Sequence, residues 1–399
     1  MPSTRPSALI LLPEAAYPVH GGGPLRTASI LIYLAQNFSL DAVHFRLAAD
    51  PDPFLAYPPG TFRRTLLLDL PSHSKAFGPR LLRNALRAVR GVSPLVDRFA
   101  GHEAAILAFL QGQQYELAWC EHFWTAPYAG VLRPYARRLV LDLHNVESEY
   151  FRTAAQASTF PARLVYRQFA EASRRAERKW LPQFQLVLAP SPEDFALAGQ
   201  LGAPRAACLA NTIPDFPERS AYPQDPPADS IAFSGNFAYA PNRAGLAWFV
   251  KNVYPKLFLT LPNVRLRVIG REVETVRAPF SHLERVDWVG PVENAVEEIA
   301  KSKTAIAPLF FGSGTRLKIL EAWAARAAVV STSLGAQGLG ANHGEHLLLA
   351  DTPADFCQAL IELHAQESRR EQLAQNAAAY CRAHFTWRST HELLAKLLS

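Results

Sequence analysis

A cation, a second cation and a carboxylate stand close together in the stretch AIAPLFFGSGTRLKILEAWAARAAVVSTSLGAQGLG, residues 305–340. They are Arg316, Lys318 and Glu321, and they follow the loop Gly312–Ser313–Gly314–Thr315. The apolar run Ala305–Leu309 before the loop and Ala328–Val330 after the helical segment predict a strand, loop, helix and strand. Backbone N–H groups at a helix start lack intrahelical partners, and the helix dipole is positive there. A loop in that place can hold a phosphate or a hydroxyl-rich ligand. At ~100° per residue, Gly314, Leu317, Lys318 and Glu321 fall within roughly one 100° arc. Such a face suits a ligand with a diphosphate at one end and hydroxyls at the other. Taken alone, the same residues also read as a tight turn followed by a solvated pair three residues apart.

Elements that must position these groups recur along the whole chain. Short apolar runs alternate with longer amphipathic ones, the pattern of parallel sheets covered by helices. Strands are predicted at 8–12, 41–45, 64–68, 117–119, 139–143 and 186–189, and again at 230–233, 265–269, 287–289, 304–307, 328–331 and 346–349. Helices are predicted near 24–36, 80–90, 100–112, 161–180 and 193–200 in the first half. Between the halves lies PDFPERSAYPQDPPADS, a proline-dense stretch without hydrophobic periodicity. The expected division is a first domain at 1–215, a linker at 216–229 and a second domain at 230–384.

With 399 residues the chain is long enough for two domains, each with its own core. Apolar residues make up 49% and charged residues 19%, and no apolar run reaches the length of a membrane span. Cys120, Cys208, Cys357 and Cys381 are scattered without metal-ligand spacing, so free thiols, a reducing cytoplasmic compartment and no metal site are expected. The net charge of +6 points to an anionic partner. Nucleic acid is disfavoured, because no long Lys/Arg run, zinc spacing or aromatic strand pattern accompanies the charge.

The wording GSGTRLKILEAWA, with VVSTSLGAQGL behind it, resembles the donor site of retaining glycosyltransferases of family four. The resemblance continues through SGNFAYAPNRAGLAWFVKNVYPKL, LRVIG, WVGPV and FTW, and is thinner in 1–215. It implies an α/β chain of GT-B fold: two Rossmann-like domains facing each other across a cleft, with residues 385–399 crossing back to the first. It further implies a nucleotide-sugar donor as substrate, no cofactor or metal, and a glycan or lipid-linked acceptor of polysaccharide synthesis. By that likeness Glu321 meets the ribose. Arg316, Lys318 and the amides of Gly312–Gly314 meet the diphosphate, Ser313 and His144 the transferred sugar, and Thr315 lies in the same donor-binding loop. Gly290 and Val292 border the base, and Gly235, Asn236, Gly22 and Gly23 line the donor site.

This sequence departs from the family pattern twice. Asn236 stands where relatives carry an arginine, with Arg243 displaced from their lysine spacing, so Arg316 and Lys318 take over the diphosphate. Ser313 stands where relatives carry the first of two glutamates, so a hydroxyl replaces a carboxylate. Alternatives are a nucleotide-sugar epimerase on the same fold and a non-catalytic sugar-nucleotide-binding subunit.

Four further stretches stay open between chemistry and structure. In HGGGPLRTASILIYLA, Pro24 suits a first helical turn, and Arg26 opposes the helix dipole, which favours a nearby anion; a plain turn explains the glycines equally well. In LDLHNVESEY, alternation puts Asp142 and His144 on one face at the carboxyl edge of a strand, so Asp142 could orient the imidazole. Glu121–His122 form a second pair at such an edge. Finally, Arg80, Arg83, Arg87 and Arg90 recur along 78–91 beside Leu82, Leu86 and Val89. That helix reads either as one that rests on an anionic membrane, making the protein peripheral there, or as an ordinary surface helix.

Overall fold

The computed structural model describes residues 5–19, 21–72, 76–156, 158–217, 229–311 and 316–399. Two compact units result, Met1–Asn211 and Thr212–Leu397. The division falls slightly ahead of the limit expected at 215. Ile213 there pairs with Thr386, and the Thr212 and Thr390 hydroxyls hydrogen-bond at 2.8 Å, all within the second unit. The linker's residues 218–228 lie outside the described residues.

The first unit holds strands β1 (Ser7–Leu12), β2 (Ser39–Leu47), β3 (Arg64–Leu70), β4 (Tyr115–Glu121), β5 (Ala136–Asp142), β6 (Leu186–Ala189) and β7 (Ala206–Cys208). They form one parallel sheet in the order β3-β2-β1-β4-β5-β6-β7. The central strands are apolar on both faces because helices cover both, which is why β1 reads as an unbroken apolar run. Leu9, Leu11, Val43, Phe45, Leu139 and Leu141 meet in one core. The helices used below are α1 (Gly22–Asn37), α2 (Phe77–Arg90), α3 (Glu147–Gln156), α4 (Ala162–Trp180) and α5 (Pro192–Gln200). Neither α3 nor β7 was expected from the sequence. Three-residue β7 is too short to show a period, and α3 begins within three residues of the His144 loop, which masks its start.

The second unit repeats the plan with β8 (Ser230–Ser234), β9 (Arg265–Ile269), β10 (Val286–Val289), β11 (Thr304–Ala307), β12 (Ala328–Ser331) and β13 (Leu348–Leu349). Their order is β10-β9-β8-β11-β12-β13, all parallel. Counted from its own first strand, each unit runs 3-2-1-4-5-6, the doubly wound order, and the first adds a seventh strand at the end. Its ligand site lies beyond the carboxyl ends of the strands, where the chain switches direction. Those points are β1/β4 and β8/β11. Helices α6 (Ala240–Asn252), α7 (Leu317–Ala324) and α8 (Trp387–Leu398) belong to this unit's part of the chain.

Helix α2 corrects one expectation. Arg87 is buried and donates to Asp97 at 2.8 Å, so the arginine row does not form a single solvated face. Leu82, Leu86 and Val89 are exposed, as is Arg90 at the end of the row. Burying a guanidinium against a carboxylate turned that face inward and left the apolar one outside. The Arg80 side chain lies outside the described residues.

Candidate functional site

At the β1/β4 switch of the first unit, four charged side chains close into a network. Gly21 turns the chain into α1 with φ of +92°, a left-handed conformation that glycine adopts without strain. One turn on, the buried Arg26 donates from Nε to Asp142 Oδ2 at 2.7 Å and from Nη2 to Oδ1. It also reaches the Leu209 carbonyl and Asn211 Oδ1. The anion that Arg26 called for is therefore Asp142, the last residue of β5. His144 Nε2 lies 2.9 Å from Glu121 Oε2 and 3.5 Å from Asp142 Oδ2, so Glu121 is the nearer partner of the imidazole. Glu121 is itself fixed by the Trp119 indole at 2.9 Å and the Thr27 hydroxyl at 3.2 Å.

His122 packs flat on His144, with ring centroids 3.5 Å apart, and on its other side stacks on Trp124 at 4.2 Å. The Trp124 indole in turn donates to Glu147 at 2.8 Å. His122 holds φ of +58°, an uncommon conformation for a side chain of this size, pinned by its N–H on the Asp142 carbonyl at 2.9 Å. A Cβ added to Gly23 would lie 3.6 Å from His144 Nδ1, so the first turn of α1 lies against the imidazole.

Burial alone would strip the proton from His144. The hydrogen bonds and charges of Asp142 and Glu121 outweigh it and lift the imidazolium to about 9. His122 goes the other way: burial, then the neighbouring His144 and Arg26 cations, hold it well below its usual value. A charged and a neutral imidazole are thus stacked face to face. Burial, together with the Asp142 charge, raises the Glu121 carboxyl, whereas Arg26 keeps Asp142 low in spite of burial. Glu121, Asp142 and His144 offer three atoms within 4.8 Å of one another, a set that can hold a metal ion. Both Asp142 oxygens already accept from Arg26, so a guanidinium stands in this cluster beside the His144 imidazolium.

In the second unit, Lys318 on the first turn of α7 reaches the end of β8. Its Nζ donates to Asn242 Oδ1 at 2.7 Å and lies 4.5 Å from the centre of the Phe233 ring. Asn242 Nδ2 holds the Asn236 carbonyl at 2.8 Å, which ties Lys318 to the Gly235–Asn236 turn. A Cβ on Gly235 would come within 2.7 Å of Asn242 Nδ2 and 3.2 Å of Lys318 Nζ, so only glycine leaves room for this arrangement. Burial draws the Lys318 ammonium down to about 7 against the pull of Glu321, and Arg316 works in the same direction. Burial pushes the Glu321 carboxyl up to about 7, opposed by Lys318. Arg316 is buried beside Tyr239, and its carbonyl accepts from the Ile319 N–H at 2.8 Å as α7 begins.

Arg243 donates to the carbonyls of Phe237 (2.9 Å) and Ala238 and thus stiffens the 236–239 turn. Gly290 accepts the Gly270 N–H at 3.0 Å beyond β10, with Val292 two residues on. Thr332, just past β12, bonds Leu309 and the Gly335 N–H at 3.0 Å, so the turn after β12 is fastened to the chain leaving β11. Gly312, Ser313, Gly314 and Thr315 lie outside the described residues. The structure thus gathers Gly235, Asn236 and Lys318 at one sheet edge, and Gly23 and His144 at another. Sequence reasoning missed Asn242, which binds both Lys318 and Asn236. Its only signal was its place next to Arg243 in APNRAG.

Residues 228–366 match the model of the family described as "Glycosyl transferases group 1". A curated protein of Klebsiella pneumoniae, "Uncharacterized 44.6 kDa protein in cps region", is 27% identical over 164 residues, covering 39% of this chain. The match takes in 42% of that relative's length. Solved structures resemble the whole chain. A sucrose-phosphate synthase from Thermosynechococcus elongatus superposes with a TM-score of 0.71 at 16% identity, over 98% of both chains. The protein TarM gives 0.67 at 11%, over 100% of this chain and 99% of the other. HepE of Anabaena, in complex with UDP and glucose, gives 0.63 at 14%, over 99% of both. Identities this low speak for the fold alone. The chain has the GT-B fold, and its residues 228–366 are similar to the family of glycosyl transferases group 1.

Proposed function

We propose that the protein is a retaining glycosyltransferase that moves a sugar from a nucleotide-sugar donor to a glycan or lipid-linked acceptor in the synthesis of a cell-surface or exported polysaccharide. One observation carries the reading. Within the glycosyl transferases group 1 domain, Lys318 is held at the carboxyl end of β8 with its proton loosened to about 7, next to Glu321. A half-buried ammonium in that state gains a full charge when an anion arrives. The donor diphosphate is that anion, met by Lys318, Arg316 and the amides of 312–315. Glu321 takes the ribose hydroxyls, Gly290 and Val292 border the base, and Gly235–Asn236 line the donor. In the first unit, His144 with Gly22 and Gly23 contacts the transferred sugar.

Catalysis on this account is electrostatic. Cations stabilise the charge growing on the departing diphosphate while the anomeric carbon becomes oxocarbenium-like, and no protein nucleophile or metal is assigned. The cytoplasm supplies the donor. Among the described residues no helix is long and apolar enough to cross a membrane. We place α2 on an anionic bilayer through Leu82, Leu86 and Val89, with Arg90 at its end.

Because HepE was solved with UDP-glucose, that donor is the first probe in a panel of nucleotide sugars. Slow release of nucleoside diphosphate, and a product retaining the donor's anomeric configuration by NMR, support transfer. A 2-epimer, or tight binding without turnover, overturns it. Flotation with anionic vesicles at low salt tests the membrane contact, which fails if the protein stays below the lipid.

A further inference from the structure

A groove of about 510 Å³ runs along the helices of the first unit. Helices α3, α4 and α5 line it. Four guanidiniums enter it, Arg152 from α3 and Arg163, Arg167 and Arg174 from α4, against the two carboxylates Glu149 and Glu171. Glu149 is already bound to Arg152, with Nε donating at 2.6 Å. Arg163, Arg167 and Arg174 are exposed, and no ion pair holds them among the described residues.

Their spacing is informative. Steps of four and seven residues put the three arginines within roughly a 40° arc of α4, along a row about 16 Å long. Like charges four residues apart on one helix face repel. An anionic ligand removes that repulsion. One phosphate cannot meet all three charges over such a length; a ligand with acidic groups at intervals can. The rest of the lining suits a carbohydrate body: Gln156, Gln200 and Ser148 offer hydroxyl partners, and Ala155, Ala170 and Leu197 give an apolar wall. Glu171 stands among the cations as an acceptor for sugar hydroxyls rather than as a partner for acid groups.

We infer that this groove binds an acidic glycan, a chain bearing carboxylates on successive units, lying along Arg163, Arg167 and Arg174. The inference rests on the glycosyltransferase reading for its purpose, since a groove of this kind would keep a growing acidic polymer on the enzyme, but its chemistry stands on its own.

Isothermal titration of the full chain with a hyaluronan oligosaccharide, in low salt and at 0.15 M, tests it. Measurable binding that weakens with salt is expected, with at least a tenfold loss in the triple variant Arg163→Gln, Arg167→Gln, Arg174→Gln. A neutral dextran oligomer of equal length should not bind. Equal affinity in the triple variant would overturn the assignment, as would dextran binding as well as hyaluronan. An oligonucleotide of matched charge, or anionic vesicles, binding as tightly with the same loss in the variant would reduce the groove to a general polyanion surface and overturn it too. Donor titration is run separately. Nucleotide-sugar binding without hyaluronan binding sinks this inference alone. Hyaluronan binding without any nucleotide-sugar binding upholds the groove and sinks the transferase reading.

Discussion

The two units share a sheet order and place charged groups at the same edge, yet they treat those charges in opposite ways. In the first unit the cluster is saturated: Arg26 meets Asp142 twice, Glu121 meets His144, and indole and hydroxyl donors take up the rest. Opposite charges keep its cation protonated to about 9. In the second unit Lys318 is held by an amide oxygen, Glu321 is close enough only to resist the shift, and burial wins, leaving both groups near 7. A saturated cluster is a preorganised surface. An undersaturated one is waiting for charge. On the proposed reading the donor anion is met by the second unit, where Lys318 and Glu321 stand near 7.

The contrast can be broken at its strongest point first. Arg26→Met leaves buried Asp142 beside Glu121 without its guanidinium partner, His144 alone remaining at 3.5 Å, and should destabilise the protein by about 3–5 kcal/mol, read from urea unfolding. A loss below about 1 kcal/mol would mean the network is not the keystone described here. Next comes the pH dependence of stability. Because the folded His144 holds its proton more tightly than a free imidazole, its stabilising contribution is complete below pH ~6.5 and is lost as pH rises through about 9. The amplitude is on the order of 3 kcal/mol. Unfolding curves of His144→Gln should lack that component; an unchanged pH profile would show that His144 is not the cation.

The second unit should answer to pH through binding instead. A donor that needs Lys318 charged takes up a proton above pH 7, so its affinity should fall by up to about tenfold per pH unit there. Lys318→Met should bind weakly with a flat profile; a sloping profile in that variant would assign the proton to another group. The smallest effect sharpens the comparison. Arg243→Ala should cost about 1 kcal/mol of stability, because its partners are backbone carbonyls, and should slow transfer less than Lys318→Ala or Arg316→Ala. The reverse order in rates would restore Arg243 as a diphosphate ligand.

Much of this arrangement was legible in the sequence. Strands such as β6, β9, β11 and β12 stand at their expected limits, because buried parallel strands are short apolar runs bounded by turns. Local rules also placed Asp142 and His144 on one face. What they did not reveal are pairings made by chain return: Arg26 with Asp142 is separated by 116 residues, and Lys318 with Asn242 by 76. Helix α2 misled for a related reason, since periodicity gives the faces of a helix but not which one the fold turns inward.

The most direct test is the affinity of the nucleotide sugar that gives the strongest response, titrated at pH 7 into the wild-type protein and Glu321→Ala. A contact between this half-buried carboxyl and the ribose predicts a loss of about 1.5–3 kcal/mol, roughly tenfold or more in Kd. An unchanged Kd would contradict the placement of the donor on α7.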